Sequence, residues 1–202
     1  MPFILVPLAG AAILAWVDWL WPAVVLGAAG LFSAWFFRDP KRRAPGDESA
    51  IVSPADGIVI EVAEVDEERF LGRKALKISI FMSLFNVHVN RAPVSGRVES
   101  VEYFPGKFFA AQRDKASLEN ERNAVIVQVP GWGRIVVIQI AGLIARRIAC
   151  WVKPGDEVIR GQRFGLIRFG SRLEVFLPLN AKIEVSLKQK VQAGQTILGY
   201  LP

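Results

Sequence analysis

The chain has 202 residues, 25 basic and 19 acidic, for a formal charge of +6, and 52% of its residues are hydrophobic. That length leaves room for an ordinary core, and that hydrophobicity excludes a disordered chain. One cysteine, Cys150, excludes an internal disulfide framework, and with one histidine, His88, there are too few ligands for a Cys/His zinc site. No metal is expected. Only His88 could supply the imidazole of a Ser-His-Asp arrangement.

The apolar residues are unevenly spread. Residues 1–37 hold 29 of the hydrophobic set, four of the six tryptophans and a single charge, Asp18. All 25 Lys and Arg lie in residues 38–202 beside 18 acids, a net charge of +7. The pattern predicts a membrane-inserted leader followed by a basic folded domain.

Within the leader, Trp16-Val17-Asp18-Trp19-Leu20-Trp21-Pro22 combines interfacial tryptophans, a charge and a helix-starting proline. It divides the segment into residues 3–17 and 22–37, each shorter than the roughly 20 apolar residues of a span. A shallow helical hairpin is expected, with both ends on one side. The flank Arg38-Asp39-Pro40-Lys41-Arg42-Arg43 marks that side as cytoplasmic and suits anionic head groups. A cleaved signal sequence is not expected, because Met1-Pro2 supplies no basic residue ahead of the apolar run.

Residues 38–50 read as a basic linker, and residues 51–202 as the functional domain. β-like runs, rich in Val and Ile and broken by Gly, Pro or Asp, occur at 57–64, 75–81, 96–103, 123–129, 134–140 and 149–152. Further runs follow at 163–168, 173–176, 182–186 and 196–200. No long 3.6-residue period appears, so a mainly β (α+β) domain with short helices is predicted. Ser53-Pro-Ala-Asp-Gly-Ile-Val is echoed by Ala92-Pro-Val-Ser-Gly-Arg-Val, and residues 152–162 are echoed from Val191. These turn-then-strand repeats resemble the barrel-sandwich domains of lipoyl and biotinyl carriers. Residues 106–123 read as a loop with a helical turn, of a length often tied to function.

Three positions could carry chemistry. In Gly170-Ser171, the glycine permits backbone angles closed to other residues. A serine after a strained glycine could turn its hydroxyl on the preceding carbonyl, as an N-to-O acyl shift requires, although most Gly-Ser pairs are simple turns. His88, in Asn86-Val87-His88-Val89-Asn90-Arg91-Ala92-Pro93, is the first choice for acid–base work near neutral pH, or else a structural histidine. Asp56, in Ser53-Pro54-Ala55-Asp56-Gly57, is either an Asx-turn residue or the carboxylate that orients His88.

In this order the segments resemble the phosphatidylserine decarboxylase family, in its short form. The resemblance runs from about Ile51 to Tyr200. It rests on the two motifs just quoted, on Pro-Gly-Lys-Phe at 105–108, Asp-Lys-Ala-Ser at 114–117 and Asn-Glu-Arg-Asn at 120–123. Ala-Gly-Leu-Ile-Ala-Arg-Arg-Ile at 141–148 and Gly-Gln-Arg-Phe-Gly-Leu-Ile-Arg-Phe-Gly-Ser-Arg at 161–172 complete it. Longer members carry two histidines three residues apart where this chain has one.

The resemblance implies a proenzyme that cuts itself between Gly170 and Ser171, giving a β chain of residues 1–170 and an α chain of residues 171–202 that stay associated. It implies that Ser171 becomes a covalent pyruvoyl cofactor, which takes the substrate amine as a Schiff base and draws electrons as CO2 leaves. Asp56, His88 and Ser171 are the implied catalytic triad of self-cleavage. The implied partners are an anionic phospholipid and the cell membrane, with the catalytic domain on the cytoplasmic side; a second copy of the chain is a further candidate, and nucleic acid is not expected. Phe104, Phe108 and Phe109 are candidates for acyl chains, or core residues. Arg113, Arg146, Arg147 and Arg168 are candidates for phosphate, or ordinary surface and structural charges.

Two other readings stand beside this one. The same chemistry could act on archaetidylserine, whose ether-linked tails leave no trace in the sequence. A lipoyl-type carrier or transport adaptor would use the barrel-sandwich body differently. Asp114-Lys115-Ala116 looks like a lipoyl attachment tripeptide, but no strand-like run directly precedes it, and the long helical hairpins of an adaptor are missing from the pattern.

Overall fold

The computed structural model describes residues 2–109, 119–143, 147–168 and 170–202. The chain forms two compact units, Met1–Pro40 and Lys41–Pro202.

The first unit is a helical hairpin, α1 (Pro2–Trp16) and α2 (Leu20–Phe36). The turn closes as Asp18 adopts a left-handed backbone (φ 61°) while Asp18 N and Trp19 N donate to Ala15 O and Leu14 O. Glycines let the helices approach closely: a Cβ on Gly30 would lie 2.7 Å from the Leu8 side chain, and one on Gly10 would lie 3.2 Å from Leu26. The outer faces carry exposed Phe3, Leu5, Trp16 and Trp21. With 15 and 17 residues, the helices reach only about 22–26 Å, against a hydrocarbon core of about 30 Å. No helix among the described residues is long and apolar enough to cross a membrane.

The second unit is mainly β. Its strands are β1 (Ala50–Val52), β2 (Gly57–Glu67), β3 (Arg73–Met82), β4 (Val89–Arg91), β5 (Gly96–Phe104), β6 (Arg122–Val129) and β7 (Gly133–Ile140). They continue with β8 (Ile148–Cys150), β9 (Glu157–Val158), β10 (Arg163–Ile167), β11 (Ser171–Leu177), β12 (Lys182–Ile183), β13 (Lys190–Val191) and β14 (Ile197–Tyr200). A curled eight-stranded sheet runs β13-β2-β3-β11-β7-β6-β5-β9, and two three-stranded sheets run β1-β14-β12 and β4-β10-β8. All the strand pairs among the described residues are antiparallel.

Each of the ten expected runs overlaps a strand. The short strands β1, β4, β9 and β13 fall outside those runs, because two or three residues are too few to show alternation. β11 begins at Ser171, two residues ahead of its expected start, so the candidate nucleophile is the first residue of a strand. Residues 110–118, within the segment 106–123 expected to hold a loop with a helical turn, lie outside the described residues, as does the tripeptide at 114–116.

Two apolar clusters hold the large sheet. The larger includes Ile78, Ile80, Met82, Val125, Val127, Val137, Leu173, Val175 and Leu177. The smaller, on the opposite face, includes Ala124, Ile126, Val136, Ile138, Ile140 and Phe176. Burial on both faces explains why β6 and β7 read as nearly continuous apolar runs. Residues 41–49 lie along this unit. Arg160 donates to Pro45 O, Asp47 O and Ala50 O, and Leu201 N donates to Ser49 O.

Candidate active site

β11 lies between β3 and β7 with an unbroken register, Ser171 opposite Met82 and Arg172 opposite both Phe81 and Ile140. Side chains alternate along it. Leu173, Val175 and Leu177 enter the main core, the side to which Ser171 also belongs, while Phe176 faces the second cluster. Ser171 is fully buried and its Oγ donates to Met82 Sδ at 3.4 Å. A thioether is a weak acceptor and no base, so this contact orients the hydroxyl without drawing off its proton.

Gly170, immediately before, has φ 64°. This is the left-handed region, which costs an L-residue roughly 1–2 kcal/mol. Among the described residues, the nearest atom to an added Cβ is Met82 O at 4.0 Å, so none of them crowds it. The backbone angle alone therefore favours glycine at the residue whose carbonyl precedes Ser171.

His88 stands just ahead of β4 and is 2% exposed. Its carbonyl accepts from Ile167 N at 3.3 Å, and Val89 pairs with Leu166. The histidine thus lies alongside the end of β10, three residues before Gly170. Asp56 is placed differently. Both guanidinium nitrogens of Arg42 bind its carboxylate, Nη2 to Oδ2 at 2.9 Å and Nη1 to Oδ1, and Ala193 N donates to Oδ1 at 2.8 Å. Arg42 Nη1 also donates to Ala193 O at 2.8 Å. The carboxylate therefore ties residue 42 to the turn at 193, and its described bonds run to neither His88 nor Ser171. The His88 backbone thus lies beside the end of β10, and Gly170 and Ser171 follow three and four residues later in the chain, whereas Asp56 is turned towards Arg42.

An ionic cluster covers the opposite face of the same strands. Arg172 Nη2 pairs with Glu61 at 3.0 Å and its Nε with Glu174 at 3.1 Å, while Lys77 pairs with Glu61 at 2.8 Å. Burial pushes the Glu61 carboxyl up, but Lys77, Ser79 and Arg172 more than offset this and hold it below its ordinary range. A cavity of about 280 Å³ opens on this face, lined by Arg69, Phe70, Lys77, Arg122, Glu174 and Phe176. The sheet separates it from the side that Ser171 faces.

The remaining candidates scatter. Phe104 is half-buried under the guanidinium of Arg69, 3.9 Å from the ring centre, on the side of the ionic cluster. Phe108 and Phe109 are half-buried, and Phe109 N and O both bond to the Asn120 side chain at 2.9 Å. Arg147 is exposed and Arg168 half-buried. Arg113 and Arg146 lie outside the described residues. Among the described residues no group of three or more His, Cys, Asp or Glu could hold a metal.

The sequence reading missed Met82, Asn90, Gln139 and Asn123, four buried residues that connect to Ser171. A signal was present for two of them. Gln139 is the one amide in the run Ile135-Val136-Val137-Ile138-Gln139-Ile140, and Asn90 stands two residues after His88. A fully buried serine hydroxyl directly after a left-handed glycine, together with a buried histidine just ahead of β4, supplies the groups that an intramolecular acyl shift requires.

Comparison with known proteins agrees with this chemistry. The family model described as phosphatidylserine decarboxylase matches residues 29–199. A protein of Syntrophus aciditrophicus (strain SB) named phosphatidylserine decarboxylase proenzyme is 55% identical over 179 residues, covering 89% of this chain and 84% of that protein. Proteins of the same name from Geotalea uraniireducens (strain Rf4) and Geobacter sulfurreducens are 50% and 49% identical, each covering 100% of this chain and 94% of the relative. The chain belongs to the phosphatidylserine decarboxylase family.

Proposed function

We propose that this chain is the proenzyme of a pyruvoyl-dependent lyase that removes CO2 from phosphatidylserine to give phosphatidylethanolamine. The observation that carries the reading is the left-handed Gly170 joined to a fully buried Ser171 at the head of a central strand, in a chain of this family.

In maturation, Ser171 Oγ adds to the Gly170 carbonyl carbon. The amide C–N bond breaks, the nitrogen takes the proton, and an ester joins the two residues. His88 is the proposed proton carrier for this step. Removal of the Ser171 α-proton then expels the ester oxygen, leaving Gly170 with a carboxylate. Hydrolysis of the remaining enamine releases ammonia and leaves a pyruvoyl group at the start of the α chain. The residues present fit such a group, because position 171 is fully buried on the core side of β11, against Met82.

When formed, the pyruvoyl group supplies a ketone that condenses with the substrate amine and accepts the electron pair as CO2 leaves. His88 is the proposed donor of the proton that replaces CO2. Asp56 is the proposed carboxylate of the triad. Its pairing with Arg42 means that it must exchange that partner to act on His88 directly, and otherwise it supports the site by holding residues 42 and 193 together. The hairpin of α1 and α2, too short to span, is proposed to lie in the head-group region of the cytoplasmic leaflet with its tryptophans at the interface. The curled sheet and its two small companions are proposed as a barrel-sandwich-like body.

The test is the intact mass of the purified protein under denaturing conditions. Two chains split after Gly170 are expected, the smaller with a pyruvoyl terminus. Ser171→Ala is expected to remain one chain and to release no CO2 from phosphatidylserine. An active, uncleaved 202-residue chain would sink the reading.

A further inference from the structure

Behind Ser171 runs a buried chain of amides. Asn123 Nδ2 donates to Gln139 Oε1 at 3.0 Å, Gln139 Nε2 donates to Asn90 Oδ1 at 2.8 Å, and Asn90 Nδ2 approaches Met82 Sδ at 3.7 Å. The same sulfur accepts the Ser171 hydroxyl. Asn90, Gln139, Met82 and Ser171 are fully buried, and Asn123 is 4% exposed.

Three amides in a dry site are costly unless satisfied, so their retention asks for a reason. Their direction is set by a group that cannot turn. Gln139 Nε2 also lies 3.4 Å from the Ala149 carbonyl, which only accepts. Gln139 must therefore present its NH2 towards Ala149 and Asn90. Asn90 must in turn present its oxygen to Gln139, which leaves its NH2 for Met82. The local packing enforces the contact, since a Cβ on Gly165 would stand 2.5 Å from Ala149 O and 2.7 Å from Gln139 Nε2.

We infer that Asn90, polarised by Gln139, is a positioning residue for self-cleavage: it fixes the Met82 thioether, and through it holds the Ser171 hydroxyl in the rotamer that attacks Gly170. A methionine side chain has three rotatable bonds and wanders unless pinned. Here a donor at one side of the sulfur and the nucleophile at the other restrict it. The inference rests on Ser171 being the nucleophile.

The experiment follows the first-order cleavage of newly synthesised full-length chain at pH 8, for wild type, Met82→Leu, Asn90→Asp and the double variant. Asp at 90 keeps the shape and still accepts from Gln139, but once ionised it cannot donate to sulfur. Asn90→Asp and Met82→Leu are each expected to slow cleavage about tenfold, and the double variant to be no slower than the slower single one. Hydroxylamine, which traps the ester by attacking its carbonyl and freeing the serine hydroxyl, is expected to leave the deficit in place, because the fault precedes the ester. Wild-type rates in Asn90→Asp or in Met82→Leu, multiplying effects in the double variant, or recovery of the wild-type rate with hydroxylamine would each overturn the inference. Met82→Leu conserves volume and tests it alone if the Asp variant does not fold. A wild-type chain that never cleaves at Gly170 would instead refute the nucleophile.

Discussion

Gly170 is the residue where conformation and chemistry meet. Its left-handed backbone is open to glycine at little cost, and among the described residues none lies closer than 4.0 Å to where a methyl group would stand. Gly170→Ala should therefore fold, but with the chain drawn away from φ 64° and the carbonyl displaced from the serine hydroxyl. In the uncleavable Ser171→Ala background it is expected to lower the unfolding free energy by about 1 kcal/mol, read by urea titration. With Ser171 present it is expected to slow cleavage by tenfold or more. Unchanged cleavage at that site would separate the backbone angle from the reaction. Asp56 teaches a different lesson. The resemblance implied an imidazole partner for it, and the bonds described for its carboxylate run to Arg42, a residue of the basic flank, and to Ala193 N.

At the scale of elements, β10 carries the site more than its five residues suggest. It pairs with β4, which follows His88, and with β8, and it ends just before Gly170. Gly165 is its point of closest approach. Gly165→Ala would set a methyl group against a backbone carbonyl and the Gln139 amide, so we expect a destabilisation of about 1–3 kcal/mol together with slower processing. Thermal unfolding and a cleavage time course would measure the two effects. Much of this element pattern was legible beforehand. Runs such as 123–129 and 134–140 announce strands through Val and Ile content, and the Gly-Ser pair and the single histidine stand within motifs. Other parts were not legible for physical reasons. β4 has three residues, too few for a period, and Met82 meets Ser171 across 89 positions of sequence. A hydrogen bond of that span leaves no local mark.

At the scale of the whole molecule, the two chains expected from cleavage are interwoven. Residues 171–202 supply β11 to the middle of the large sheet, β13 to its edge, and β12 and β14 to the sheet that holds β1. β11 is hydrogen-bonded along both sides, to β3 and β7, and Leu173, Val175 and Leu177 are fully buried. The cleaved chains are thus expected to co-elute in size-exclusion chromatography under native conditions and at high salt, and to part only in denaturant. Separation at high salt alone would mean that charge rather than packing joins them. The hairpin carries the uneven hydrophobicity seen in the sequence, and the basic excess remains with the β unit.

The central place of β11 also sets the life history of the protein. Folding happens once, with residues 1–202 in a single covalent chain, so the strand enters the sheet as a neighbour on a short tether. After the proposed cleavage the same strand would belong to a 32-residue fragment, which on unfolding would become a free peptide that must find its slot by collision. The cleaved enzyme would therefore inherit its architecture from its precursor and have no ready route back to it. Its durability would be governed by the rate at which β11 is lost rather than by a reversible balance.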